Sequence, residues 1–260
     1  MKRLFVSCLF LLLPFTTLGG SQQTTEAKFD PQTIAKFAKG VEKYAAKQGA
    51  RAFIIARIGQ PKEKLPKGIE FTHTAIAVYS EITLEDGKKA KGYAIHNLYQ
   101  SAQNSDTSSL VTDYPVDFFW GAQELKAGII IPTPELQAKI IEVIASGQNA
   151  TLHNANYSLV ANPFDQRYQN CTEHTLDIIN AAIYQTSDMK RLKLNAKTYF
   201  EPQRVHVSRF KLTMGSMFSS GISLNDHKGS VNTASFTTIA RYLERYQLAS
   251  PKVIFHPENS

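Results

Sequence analysis

The sequence predicts a single α+β domain, and three observations lead to that prediction. Apolar residues recur at helical spacing in some stretches and form short β-rich runs in others. The two kinds of stretch are mixed along the chain with no internal repeat. The chain has 260 residues, and the roughly 240 left after an N-terminal leader can bury one substantial core.

The N-terminus reads as a secretory signal peptide. Lys2 and Arg3 precede an apolar run from Leu4 to Leu13, and Pro14 and small residues follow up to Gly19, Gly20 and Ser21. That run is too short to span a bilayer, and its exit suits cleavage between Leu18 and Gly20. A retained membrane anchor is the alternative. The expected division is a signal peptide over 1–20, a polar leader over 21–29 and one domain over 30–260. A periplasmic or secreted location follows. No later segment has the ~18 consecutive apolar residues of a membrane span, so no stable span is expected after cleavage.

Within the domain, Asp30 and Pro31 suit the cap and first residue of a helix. Ile34, Phe37, Ala38, Val41, Tyr44 and Ala45 carry its apolar stripe to about Gln48. "RAFIIARIG" reads as a buried strand. "IEFTHTAIAVYSEI" and "KGYAIHNLY" read as two more, around the turn signal Asp86-Gly87. "SAQNSDTSS" is a polar loop, and "LVTDYPVDFFWGAQELKAGIIIP" mixes aromatics with the strand candidate "AGIII". Phe118, Phe119 and Trp120 would then be either a contact patch or a set buried under a neighbouring helix. Thr133 and Pro134 open the helix "PELQAKIIEVIAS", closed by Gly147. "YSLVA" suits a short strand, "NPFDQRYQN" a loop, and "CTEHTLDIINAA" a helix. Beyond Arg204 come "VHVSRFKL", a Gly/Ser-rich stretch from Gly215 to Ser223, and a helix near Ser235 to Gln247.

Loss of Lys2 and Arg3 would take the formal charge from +7 to +5, with the cations scattered over the chain. There is no zinc-finger spacing, no strand-linked GxGxxG and no Walker loop. The pattern points away from nucleic acid, and no cofactor is expected. Affinity for an anionic envelope polymer is compatible with it.

The chain has two cysteines, and removal of Cys8 with the leader would leave Cys171 alone, without a disulfide partner. A cysteine in the first turn of a helix lies beside free backbone N–H groups and the positive end of the macrodipole, which favour thiolate. The same N–H groups suit an oxyanion. Inert packing on the inward face with Thr175, Ile178 and Ala182 is the competing account. A thiolate nucleophile needs a base. His73 and His96 sit on the two hairpin strands, and a pairing centred on Asp86-Gly87 would put both on one face. Packed core histidines are the alternative, and His174, three residues after Cys171, competes as base. His73, His96 and Cys171 together are of zinc-ligand type, but no short ligand pair supports a metal site, and none is expected.

The order "THTAIAVYS", "YAIHNLY", "NCTEH" resembles the circularly permuted branch of papain-like thiol enzymes. That branch includes NlpC-type envelope hydrolases and the lecithin:retinol acyltransferase relatives. "AVYSEI", "GYAIHNLYQ" and "YQNCTEHTLDIINAA" are also similar to a bacterial family of exported domains of unknown function, DUF2145. The first resemblance covers about residues 50–185, with the rest as a C-terminal extension. It implies a central antiparallel sheet with a packed cysteine-bearing helix. It further implies Cys171 as nucleophile, His73 as general base and acid, and His96 as the group that orients His73. The implied substrate is an envelope amide or ester, with peptidoglycan peptide among the candidates. A binding or assembly module on the same scaffold, with an inert thiol, is the second reading.

Overall fold

The computed structural model describes residues 26–62, 65–83, 86–205 and 221–259. The expected signal peptide, Cys8, most of the polar leader and the "VHVSRFKL" stretch beyond Val205 lie outside the described residues.

Helix α1 (Pro31–Lys47) begins as expected, with the Asp30 carboxylate accepting from Thr33 N at 2.9 Å. Strands β1 (Ala52–Ile58), β2 (His73–Thr83), β3 (Lys89–Gln100) and β4 (Ser108–Asp113) follow. Then come α2 (Pro115–Trp120), β5 (Glu124–Ile130), α3 (Pro134–Ala145) and the single turn α4 (Gln148–Thr151). Helices α5 (Cys171–Tyr184) and α6 (Met189–Tyr199) lead to the two-residue pair β6 (Gln203–Arg204) and β7 (Asn232–Thr233). Helix α7 (Phe236–Arg245) and β8 (Val253–Phe255) close the fold.

Among the described residues the main sheet has six strands in the order β4-β3-β2-β1-β5-β8, and every pairing is antiparallel. This is a mixed α+β architecture with helices on both faces. Phe53, Ile55, Ala75, Ala77 and Ile95 pack with α1 and α2 on one face. Ile54, Ile76 and Val78 pack with α3, α5 and α7 on the other. Because both faces are covered, β1 is buried at every position and shows no apolar–polar alternation. No described helix is long and apolar enough to cross a membrane.

Several segments differ from the sequence reading. Edge strand β4 has only two large apolar residues, Leu110 and Val111, and so carries little pattern. Phe118 and Phe119 lie on α2, opened by Pro115, and are fully buried, with the Phe119 ring edge-on to Phe37 at 4.9 Å. They are core, and a contact patch made of them is ruled out. "YSLVA" is not a strand; Tyr157 makes one isolated bridge to Gln169. The polar-rich α6 and the three-residue β8 had no expectation attached to them.

The hairpin register carries the main correction. The strands pair Ile76 with His96 and Thr83 with Lys89, one residue tighter than a turn centred on Asp86-Gly87 allows. A one-residue shift in register moves every side chain of one strand to the other face relative to its partner. His73 and His96 therefore lie on opposite faces of the sheet, not on one.

Candidate active site

Cys171 is the first residue of α5, a helix buried along most of its length. Asn170 caps it: its Oδ1 accepts from Glu173 N at 2.9 Å, and its Nδ2 donates to Leu159 O at 3.0 Å. The thiol packs with Leu98 and Tyr157. Its Sγ lies 3.9 Å from the Thr72 carbonyl and 3.7 Å from the Thr172 hydroxyl. It also lines a cavity of about 210 Å³ walled by Leu65, Phe71, Leu159, Val160 and Ile222. No charged side chain among the described residues lines this cavity, which leaves it apolar with a polar rim from Gln60, Thr172, Thr233 and Ser235.

His73 begins β2, immediately after the Thr72 whose carbonyl approaches Sγ. Both residues start their elements at the same end of the sheet. The His73 ring is fully buried, stacks on Tyr99 at 4.7 Å, and packs against Phe118. Its Nε2 lies 2.9 Å from Asn97 Oδ1. Asn97 Nδ2 donates to Ile95 O at 3.0 Å, which fixes the amide orientation. Nε2 therefore carries the proton, and Nδ1 keeps its lone pair. Nδ1 makes no hydrogen bond among the described residues, and the ring lies on the α2 face of the sheet, whereas α5 and the thiol pack on the other. Burial, and then the Arg57 cation, push His73 down to about 3. At neutral pH it is an uncharged imidazole.

The group orienting His73 is thus Asn97, and the structure does not bring His96 to it. His96 sits opposite Ile76 on the α5 face, half-buried, with burial lowering its pKa. His174 packs against another histidine. Its ring meets His153 edge-on at 6.1 Å, and burial followed by His153 and Lys193 pushes it down to about 3.

Two buried charge clusters lie on the two faces of the sheet. On the α2 face, Arg57 pairs in register with His73 and donates from Nη1 to the Phe118 carbonyl. Its guanidinium lies 5.8 Å from the Tyr99 ring centre and 5.3 Å from that of Phe118. Tyr99 donates from its hydroxyl to Asp113 Oδ2 at 2.5 Å. On the other face, Lys193 Nζ of α6 meets Glu173 at 2.6 Å and Asp177 at 2.9 Å, both on α5. Gln169 Nε2 also donates to Asp177, at 2.8 Å. Burial raises the Glu173 carboxyl well above its usual range and raises Asp177, with Lys193 opposing both.

Sequence reasoning passed over Asn97, Arg57, Tyr99 and Asp113. Two of them carried a signal: Arg57 is the charge inside the apolar run "AFIIARI", and Asn97 is a second polar residue beside His96 in "AIHNLY". No described cluster of three or more His, Cys, Asp or Glu is arranged to hold a metal ion.

No curated protein and no solved structure matches the chain. A family profile does match, over residues 44–243. The chain belongs to the bacterial family described as "Uncharacterized protein conserved in bacteria (DUF2145)".

Proposed function

We propose that the chain is a thiol hydrolase or acyltransferase acting on an amide or ester, built on a circularly permuted papain-like scaffold. The observation that carries this reading is the placement of Cys171, a thiol at the capped N-terminus of a buried helix that opens into an apolar cavity. In the reaction Sγ attacks the carbonyl carbon, a C–S bond forms as the C–N or C–O bond breaks, and the proton given up by the thiol reaches the departing amine or alcohol through solvent. Water or an acceptor alcohol then attacks the thioester and gives its proton to His73 Nδ1, and the C–S bond breaks. First-turn N–H groups without helical partners suit the oxyanion of each tetrahedral intermediate. Asn97 holds the imidazole in the tautomer that leaves Nδ1 able to accept. Nδ1 has no hydrogen-bond partner among the described residues, which leaves its lone pair open to the proton of the attacking water or alcohol.

The setting of this reading is the periplasm, reached by the N-terminal leader, with an envelope amide or ester as substrate. Among the described residues the cavity wall carries no charged side chain, which suits an uncharged acyl or side-chain group in the bound part, even if the substrate is a peptidoglycan peptide. One observation favours the second reading, a binding or assembly module: the thiol is only 4% exposed and packs with Leu98 and Tyr157 like an apolar residue. Incubation with p-nitrophenyl butyrate separates the two. A butyryl adduct on Cys171 by mass spectrometry, with p-nitrophenol release abolished in Cys171→Ala, is the expected outcome. Neither adduct nor release around neutral pH, from a folded protein, sinks the enzymatic reading.

A further inference from the structure

Helix α6 (Met189–Tyr199) is sided by charge. Lys193 turns inward with Leu192 and Ala196, and its ion pairs with Glu173 and Asp177 hold that face against α5. The same register leaves Lys190, Arg191, Leu194 and Lys197 exposed. Leu194 lies three or four residues from each of these cations, the spacing of neighbours on one helix face. Residues 189–200 contain four cations and no carboxylate. The two acidic residues that flank the helix are already engaged. Asp188 caps it, accepting from Lys190 N at 2.9 Å, and Glu201 meets Arg245 at 2.7 Å. Among the described residues Lys190, Arg191 and Lys197 form no ion pair.

Set among these cations is an exposed aliphatic side chain. Leu194 is 64% exposed, the most of any large apolar residue described. It has apolar company. Six large apolar side chains are exposed among the described residues, and Leu194, Tyr199 and Tyr246 are half of them. Tyr199 ends α6, with its ring edge-on to Tyr246 at 6.2 Å and stacked on Tyr184 at 6.4 Å. A lone exposed leucine needs no explanation, but a leucine flanked by unpaired cations, on a helix that ends in exposed tyrosines, is the composition of an interfacial face. Tyrosine suits the same boundary, because its ring is apolar and its hydroxyl stays wet. The face is the ridge of a helix, whereas a peptide partner needs a groove or a free strand edge.

We propose that the outward face of α6 is a docking surface for a bilayer of anionic lipid. Lys190, Arg191 and Lys197 meet the headgroup phosphates, Leu194 enters the acyl boundary, and Tyr199 and Tyr246 sit at headgroup level. Charge complementarity selects the anionic surface. The leucine selects lipid over a soluble polyanion, which gains nothing from an exposed aliphatic group. Lys193 acts indirectly, by holding the helix in the register that turns the other three cations outward. The assignment is independent of what Cys171 does, since its cavity takes no wall residue from α6.

Co-sedimentation of the full chain with phosphatidylglycerol or phosphatidylcholine vesicles tests this. Every variant keeps the wild-type N-terminus, so a difference from wild type reads α6 alone. Binding to phosphatidylglycerol should exceed binding to phosphatidylcholine and weaken with salt. Lys190→Gln, Arg191→Gln and Lys197→Gln should each lower the phosphatidylglycerol partition about fivefold, and the three together about a hundredfold. Leu194→Ser should lower it about tenfold. The indole added in Leu194→Trp, read against the Trp120 background of the wild type, should emit at shorter wavelength on these vesicles and be quenched by brominated acyl chains. A triple variant that binds like the wild type overturns the proposal, as does unshifted emission from Leu194→Trp. Binding to soluble polyphosphate that needs the three cations, with vesicle binding indifferent to Leu194→Ser, assigns the face to a polyanion and overturns it too.

Discussion

Lys193 and Arg57 are both buried cations, one on each face of the main sheet, and they meet different counter-groups. Lys193 meets two carboxylates at 2.6 and 2.9 Å, and one of these carboxylates is held again by Gln169. Those contacts tie α6 to the first two turns of α5. Arg57 lies against two aromatic rings and a carbonyl, with its nearest carboxylate engaged by a tyrosine hydroxyl. Direct ion pairing uses up the field of Lys193 locally and makes it a structural lock. Arg57 instead packs against aromatic rings and pairs in register with a neutral histidine. Burial alone does not distinguish the two cations; their counter-groups do.

The largest expected effect breaks the lock. Lys193→Met leaves Glu173 and Asp177 buried against each other, and removing one partner of a buried ion pair costs about 3–5 kcal/mol. Urea unfolding monitored by circular dichroism should show a loss of that size. A change below about 1 kcal/mol would mean the cluster is already compensated by proton uptake at Glu173.

Next comes pH, which tests both regions through the histidine each one holds neutral. His73 beside Arg57 and His174 near Lys193 are both pushed to about 3 in the fold. In the unfolded chain they titrate near 6.5. Below that value the unfolded state binds protons that the native state refuses. Their contribution is therefore complete above about 6.5 and is lost as pH falls towards about 3, at up to ~1.4 kcal/mol per pH unit for each histidine. Glu173, with its raised folded carboxyl, has the opposite slope. The quantity to read is therefore the difference between wild type and His174→Gln in urea midpoints between pH 7 and pH 5. A shallower pH dependence in the variant is expected, and equal slopes would show that His174 is protonated in the fold.

How far this was legible in the sequence depended on where the signal lay. Helix α1, its Asp30 cap, β1, the β2–β3 hairpin, α3 and the Cys171 helix each rest on local pattern, and local pattern survives folding. Edge strand β4 and helix α2 lacked it, because one has few apolar residues and the other is six residues long. The candidate residues Cys171 and His73 stood out in the sequence as chemistry-bearing side chains inside apolar segments. Its polar partners were hidden by register. Asn97 and His96 are adjacent, and only the one-residue difference in hairpin pairing determines which of them shares a face with His73. Arg57, Tyr99 and Asp113 meet only when β1, β3 and β4 are assembled, which no spacing along the chain encodes.

That register difference supplies the last and smallest effects, a pair of neighbouring substitutions. Asn97→Ala removes the acceptor of the buried His73 Nε2–H, and an unsatisfied buried donor costs about 1–3 kcal/mol. It also frees the imidazole to adopt the other tautomer, so butyrate turnover should fall. His96→Ala sits one residue away on the opposite face, half-buried, with no hydrogen bond among the described residues shown to tie it to the site. Its stability change should lie near about 0.5 kcal/mol, the scale of substitutions that break no named interaction, and turnover should remain within about twofold of wild type, or roughly 0.4 kcal/mol of barrier. Turnover lost in His96→Ala and kept in Asn97→Ala would mean that the working register of the hairpin is the looser one, with His96 rather than Asn97 behind the imidazole.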